Sequence, residues 1–201
     1  MPQTLNDIRE TPSQTAGPYV QLGCTPNFAG LEDVYPEDIG IRAIEEGAKG
    51  TLITIRGHVF DNNNDPMFDP MIESWQPDAA GLFPGQDGAD ALVNGFCRFP
   101  LNKHTGEFVL KTVKPGKVPF RNGGYQAPHI SLWIVARGNN IGLNTRIYFD
   151  DEEKHNAVDP VLTRIKPEKR IQTLLATQCK QGEYHFDIRL RGDQETVFFD
   201  M

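Results

Sequence analysis

Glycine and proline interrupt this chain too often for any long regular element to survive. The 201 residues include 19 Gly and 15 Pro, spread along the whole length. Glycine loosens the backbone and proline removes a backbone donor, so only short strands or single helical turns fit between them. The stretches between the breaks favour strands. "TLITIRGHVFD" (51–61) puts Ile53, Ile55 and Val59 on one face and ends in the turn "DNNNDP". "HISLWIVARG" sets Ile130, Leu132 and Ile134 against His129, Ser131, Trp133 and Val135. "EYHFDIRLRG" alternates most cleanly, with Tyr184, Phe186, Ile188 and Leu190 on one side and His185, Asp187, Arg189 and Arg191 on the other. A period of two turns one row toward a core and the other toward solvent. "MIESWQPD" (71–78), "GEFVLKTVKPG" (106–116), "TRIYFDD" (145–151) and "ETVFFD" read as further short strands. Seven or more such pieces separated by turns predict a mainly β fold, a β-sandwich of mixed short strands with long loops.

One stretch departs from that pattern. "DPVLTRIKPEKRIQTLLATQ" offers Asp159 as an N-cap before Pro160, with Ile171, Leu174 and Leu175 at helical spacing, which predicts one or two short helices. Residues 1–50 read as an N-terminal arm and irregular extension, and 51–201 as the sandwich domain, long enough to bury a core. A net charge of −7 argues against nucleic acid or an anionic membrane surface as the main partner. No apolar run approaches the roughly 20 residues of a membrane span. "MPQTLNDIRETPSQTAG" lacks the basic and apolar segments of a secretory signal. Cys24, Cys97 and Cys179 are few, widely spaced and odd in number, as suits reduced thiols, so a cytoplasmic location is expected.

The familiar catalytic constellations are missing. There is no glycine-rich phosphate loop before a helix, no Cys-x-x-Cys and no His-Glu-x-x-His. His58, His104, His129, His155 and His185 form no pair at ligand spacing on one strand or helix. On a strand, His-x-His would aim two imidazoles at one metal, but here His129 is followed by Ile130 and Ser131. The residues alone assemble neither a metal site nor a nucleophile–base pair.

Two stretches carry a resemblance. "MIESWQPDAAGLF" together with "TVKPGKVPFRNGGYQAPHISLWI" resembles the core signature of the intradiol ring-cleaving dioxygenases. "TPSQTAGPY" and "YHFDIRLRGDQETVFFD" are similar to the protocatechuate 3,4-dioxygenases within that family, so the likeness runs over essentially the whole chain. The resemblance implies a non-haem Fe(III) held by two tyrosines and two histidines. Carried over by position, those ligands fall on Phe83, Val118, His129 and Ser131, and a charge-stabilising arginine falls on Gln126. Of the four ligand positions only His129 keeps a donor of the family's kind. Ferric iron is hard and wants anionic oxygen donors, which phenylalanine and valine do not supply. No iron and no catalytic residue is therefore expected in this chain.

The resemblance implies instead a sister subunit. Such a chain would pair with a homologous iron-bearing beta chain in an αβ hetero-oligomer that cleaves protocatechuate with O2 to 3-carboxy-cis,cis-muconate, in the β-ketoadipate route of aromatic degradation. By the same resemblance Thr15, Ala16, Gly17, Pro18 and Tyr19 would reach the partner's pocket, and Arg137 would meet the substrate carboxylate, a task suited to a guanidinium. Two other readings stay open on sequence: a self-sufficient metalloenzyme rebuilt around His129, drawing on Tyr125, or a binding β-sandwich with no catalytic partner.

Overall fold

The computed structural model describes residues 14–121 and 123–200. β1 (Leu52–Phe60) organises one half of it. It pairs antiparallel with β4 (Glu107–Val113), with Gly57 opposite Phe108. On its other edge it pairs parallel with β10 (Glu183–His185) and β11 (Ile188–Arg189). The second half is the antiparallel set β3 (Phe96–Pro100), β2 (Met71–Trp75), β7 (His129–Val135) and β8 (Leu143–Phe149), in that spatial order. β9 (Leu175–Lys180) joins the halves, its start parallel to β8 and its remainder antiparallel to β10. β5 (Val118–Pro119) and β6 (Tyr125–Gln126) form a separate small ribbon.

The apolar rows expected from the period-two pattern meet in one core. Ile53, Ile55, Val59, Phe108 and Leu110 of the first half share a buried cluster with Ile72, Phe99, Ile130, Leu132, Ile134 and Ile147 of the second. Each such side chain contributes about 1.5–3 kcal/mol by leaving water. The result is a β-sandwich whose two layers are continuous through β9.

Several local expectations are corrected. "EYHFDIRLRG" is not one strand: β10 and β11 are separated at Phe186 and Asp187, where the Asp187 carboxylate, not a backbone carbonyl, accepts the His58 amide. The helical reading near 171–175 gives only tight 3-10 turns, Leu162–Arg164 and Glu168–Leu174, and Leu175 opens β9 because pairing with β8 outweighs a short helical pattern. "ETVFFD" contributes a single bridge, Asn144 to Phe199. The extension holds two short helices, α1 (Pro18–Cys24) and α2 (Pro26–Ala29), and β3 is a strand that the sequence pattern left unmarked. A further short helix, α3 (Glu153–Asn156), follows β8.

The outer face of β7 and β8 is covered as well. Tyr148, Ala127, Leu162 and Leu174 form a second buried cluster, with Ile165, Ile171, Val197 and Phe199 packed against it. Asp159 anchors this cover. One carboxylate oxygen accepts the Val161 and Leu162 amides at 2.7 and 2.8 Å, as an N-cap would, and the other accepts the Ala127 amide at 2.7 Å.

Candidate functional site

Two loops set the candidate site. Gln76, fully buried at the end of β2, donates to the Val113 carbonyl at 3.0 Å and accepts from the Thr112 hydroxyl at 2.9 Å. Asp78 accepts the Ala80, Leu82 and Asp90 amides at 2.8–2.9 Å, which shapes the loop carrying Phe83. That loop lies backbone to backbone against the one carrying Val118. The Gly116 amide donates to the Asp78 carbonyl at 2.9 Å, and at Gly81 (φ +85°) any Cβ would collide with the Lys117 carbonyl.

Through those loops the five positions that the resemblance singles out, Phe83, Val118, Gln126, His129 and Ser131, become linked by a chain of contacts. Phe83 stacks on Trp75 with ring centroids 5.8 Å apart and planes 9° from parallel. Trp75 lies across the ladder from Ser131, and Ser131 lies across from Arg146. Arg146 Nη1 donates to Gln126 Oε1 at 2.8 Å, and Gln126 pairs with Val118 across the small ribbon. His129, 4% exposed, shares this face two residues before Ser131. Its Nδ1 donates to the Ala127 carbonyl at 2.7 Å; a carbonyl only accepts, so Nδ1 carries the proton. Burial first, and the Arg146 cation second, push this imidazole down to about 4. Burial also pushes the Tyr148 phenol above the usual tyrosine range. Both side chains are therefore neutral at pH 7.

These residues do not fit a ferric ion. His129 offers one imidazole, Phe83 and Val118 offer carbon, and the face that would receive the metal already holds the Arg146 guanidinium. Arg146, Tyr148, Asp159, Gln76 and Asp78 are the site residues that sequence reasoning missed or read otherwise. Asp159 drew notice as a helix cap, and the "Y" of "RIYF" and the "Q" of "WQPD" lay inside quoted motifs, but nothing along the chain pairs Arg146 with Gln126. Tyr125, invoked for a rebuilt site, is 55% exposed, and the ammonium of Lys117 lies 5.0 Å from its ring centre.

The arm residues gather elsewhere. Thr15 Oγ1 accepts the Gly138 amide at 2.7 Å and donates to the Ala136 carbonyl at 3.4 Å. Gly17 precedes α1, whose first residue is Pro18, and the Tyr19 ring is 82% exposed. Gln21 of α1 donates to the Asp69 and Pro70 carbonyls. Arg137 follows β7, not within it as the strand reading had it, and its guanidinium meets the Asp69 carboxylate at 3.1 Å. Gly17, Val20, Gln21, Asp69, Val135 and Arg137 border a cavity of about 300 Å³. Eight residues of nearly extended chain, roughly 26 Å at about 3.3 Å each, divide Arg137 from His129, so the two sites are separate. A larger groove of about 790 Å³ between residues 41–48 and β1 and β4 holds none of the residues of either site.

Comparison with known proteins assigns the class. The family model for dioxygenases matches residues 26–192. The chain belongs to that family, the intradiol dioxygenases, a family known for non-haem iron. It is 43% identical over 196 residues to the protocatechuate 3,4-dioxygenase alpha chain of Pseudomonas putida, covering 96% of this chain and 97% of that one. It is 28% identical over 185 residues to the protocatechuate 3,4-dioxygenase beta chain of Burkholderia cepacia, covering 83% and 77%. The fold is similar to that of 3-chlorocatechol 1,2-dioxygenase from Rhodococcus opacus, with a TM-score of 0.59 and 20% identity over 74% of this chain and 63% of the other.

Proposed function

We propose that this chain is the iron-free alpha subunit of a protocatechuate 3,4-dioxygenase, a cytoplasmic intradiol oxidoreductase. A homologous beta chain would hold the Fe(III), and the assembly would cleave protocatechuate with O2 to 3-carboxy-cis,cis-muconate. The observation that carries the reading is the donor set. One neutral imidazole stands beside a guanidinium where the family's chemistry needs four donors, in a chain that keeps the fold and the arm. Iron in the partner would supply the chemistry of ring cleavage. This chain would supply a scaffold, an interface and part of a pocket wall.

The arm supports that division of labour. Thr15 is stapled to the turn that carries Arg137, so arm and guanidinium form one unit on this chain's surface. The Arg137 side chain is 74% exposed, and its ion pair with Asp69 is correspondingly weak, which leaves the cation free to exchange partners. A benzoate carboxylate is such a partner, and the exposed Tyr19 ring and the open backbone at Gly17 suit close approach by an aromatic acid.

Native mass spectrometry of the purified protein, with iron counted, tests the proposal. The expected result is a complex with a second chain of similar size and one iron per pair, the iron leaving with that second chain on dissociation. A homo-oligomer with iron on every copy would overturn it. Within the complex, Arg137→Ala is expected to raise KM for protocatechuate by about tenfold, the scale of one exposed charge-assisted contact. Unchanged steady-state kinetics would remove Arg137 from the pocket.

A further inference from the structure

The degenerate site is not a vacant metal site, because its centre is built around a cation of the protein's own. Arg146 enters the outer face of β8 directly opposite Ser131, where the short serine leaves room for a long side chain. Its Nη1 donates to Gln126 Oε1 at 2.8 Å and to the Tyr148 hydroxyl at 3.1 Å, both neutral oxygens. The guanidinium carbon lies 5.8 Å from the ring centre of Phe199, on the segment that covers this face. Asp159, the buried carboxylate of the cover, is held by three backbone amides. Arg146 therefore touches or faces Gln126, Ser131 and Tyr148, and Gln126 brings Val118 to the same place.

We propose that Arg146 is a resident cation that has replaced the metal in this site, and that it bars metal from the site even when the ligands are restored. The reason is electrostatic and general. A fixed guanidinium within a few ångströms repels an incoming multivalent cation, and in a partly dry site water does little to screen that repulsion. It also spends on Gln126 and Tyr148 the oxygen acceptors that a metal would otherwise polarise. Loss of ligands and gain of the arginine are then two separate changes, and reversing the first is insufficient. The inference rests on the assignment of Phe83, Val118, His129 and Ser131 as the ligand positions, and not on the partner chain.

The test uses the full chain expressed alone. One variant restores the ligands (Phe83→Tyr, Val118→Tyr, Ser131→His) and keeps Arg146. Others add Arg146→Gln, Arg146→Met or Arg146→Lys. Each is loaded with ferrous iron in air, desalted and assayed for bound iron and for tyrosinate-to-iron absorption. Below one tenth of an equivalent is expected with arginine or lysine, and near one equivalent, with visible absorption, with glutamine or methionine. Equal loading with arginine and glutamine would overturn the proposal. So would failure of methionine, which matches the bulk without the charge. Iron in none of the variants would mean that the ligand positions are misassigned, and the proposal would fall with them. Should the multiple variants not fold, Ser131→His with and without Arg146→Gln serves as the milder pair. Cobalt(II) titrated calorimetrically is expected to bind at least tenfold tighter when Arg146→Gln is present, and equal affinity would overturn the proposal.

Discussion

Gly57→Ala is expected to lower stability by about 4 kcal/mol, although it adds only one methyl group. Glycine inside a strand ordinarily weakens it, so alanine there should help by a few tenths to about 1 kcal/mol. The sign reverses here because the segment joining β10 to β11 runs parallel beside β1 and brings its backbone into close contact with this residue. Between β10 and β11 the Phe186 carbonyl passes directly over Gly57, while the Phe186 amide bonds the Arg56 carbonyl at 2.9 Å. An alanine methyl would collide with that carbonyl oxygen, lie 2.6 Å from its carbon, and sit 3.0 Å from the Phe108 ring. Backbone held on both sides by ladder hydrogen bonds gives way only if β10 or β11 detaches. For a domain of this size the loss corresponds to a fall of about 8–16 °C in Tm, read by calorimetry. Gly23→Ala in α1, where a Cβ meets nothing within 4 Å, is the control and should be neutral or stabilising. Equal effects of the two substitutions would show that the close contact at Phe186 is not rigid.

Lys114→Met is expected to cost about 2–3 kcal/mol at pH 7. The Lys114 side chain is only 16% exposed and sits 2.7 Å from an Asp151 carboxylate oxygen and 2.8 Å from one of Glu152. Its ammonium also lies 5.2 and 5.7 Å from the ring centres of Phe149 and Tyr184. The Tyr184 hydroxyl donates to Asp151 at 3.0 Å, and His155 pairs with Glu152 at 2.6 Å. Burial works against the Lys114 charge, but the two carboxylates outweigh it and hold the ammonium above the usual lysine range. Burial likewise raises Glu152, and Lys114 and His155 more than offset it, leaving that carboxyl below its ordinary value. Methionine preserves the bulk and abandons two adjacent carboxylates. A carboxyl held low in the folded state contributes stability above its unfolded value of about 4.3, which is lost as pH falls through the folded value. The gap between wild type and Lys114→Met should therefore be widest near neutral pH and shrink below about pH 4, as measured by urea unfolding across pH. A gap independent of pH would mean that lost packing, not lost charge, is being measured.

The strand rows were legible because side-chain period is a local property. Ile53, Ile55 and Val59, or Ile130, Leu132 and Ile134, declare an inward face whatever strand lies beside them. Breaks in the pattern were not legible. Nothing in "EYHFDIRLRG" says that Asp187 will turn its carboxylate to the His58 amide and split the strand, since that event needs β1 alongside. Leu175 reads as helical because its neighbours repeat at helical spacing, and only the free edge of β8 makes it a strand.

At the candidate site the division is sharper. At the ligand positions that the resemblance implies, Phe83, Val118 and Ser131 carry no donor of the family's ferric set, and this is read from sequence alone because donor chemistry resides in the residue type. Which other side chains meet at those positions was decided by the fold. Arg146 is 20 residues from Gln126 in sequence and 15 from Ser131, and only the β7–β8 register and the small ribbon bring their side chains together. Likewise Thr15 and Gly138 lie 123 residues apart until the arm returns to the end of β7. Sequence by itself determined which groups can donate, accept or carry charge. Tertiary structure decided which of them meet, because contact across a sheet is set by strand pairing and loop path, and neither is encoded within reach of a single residue.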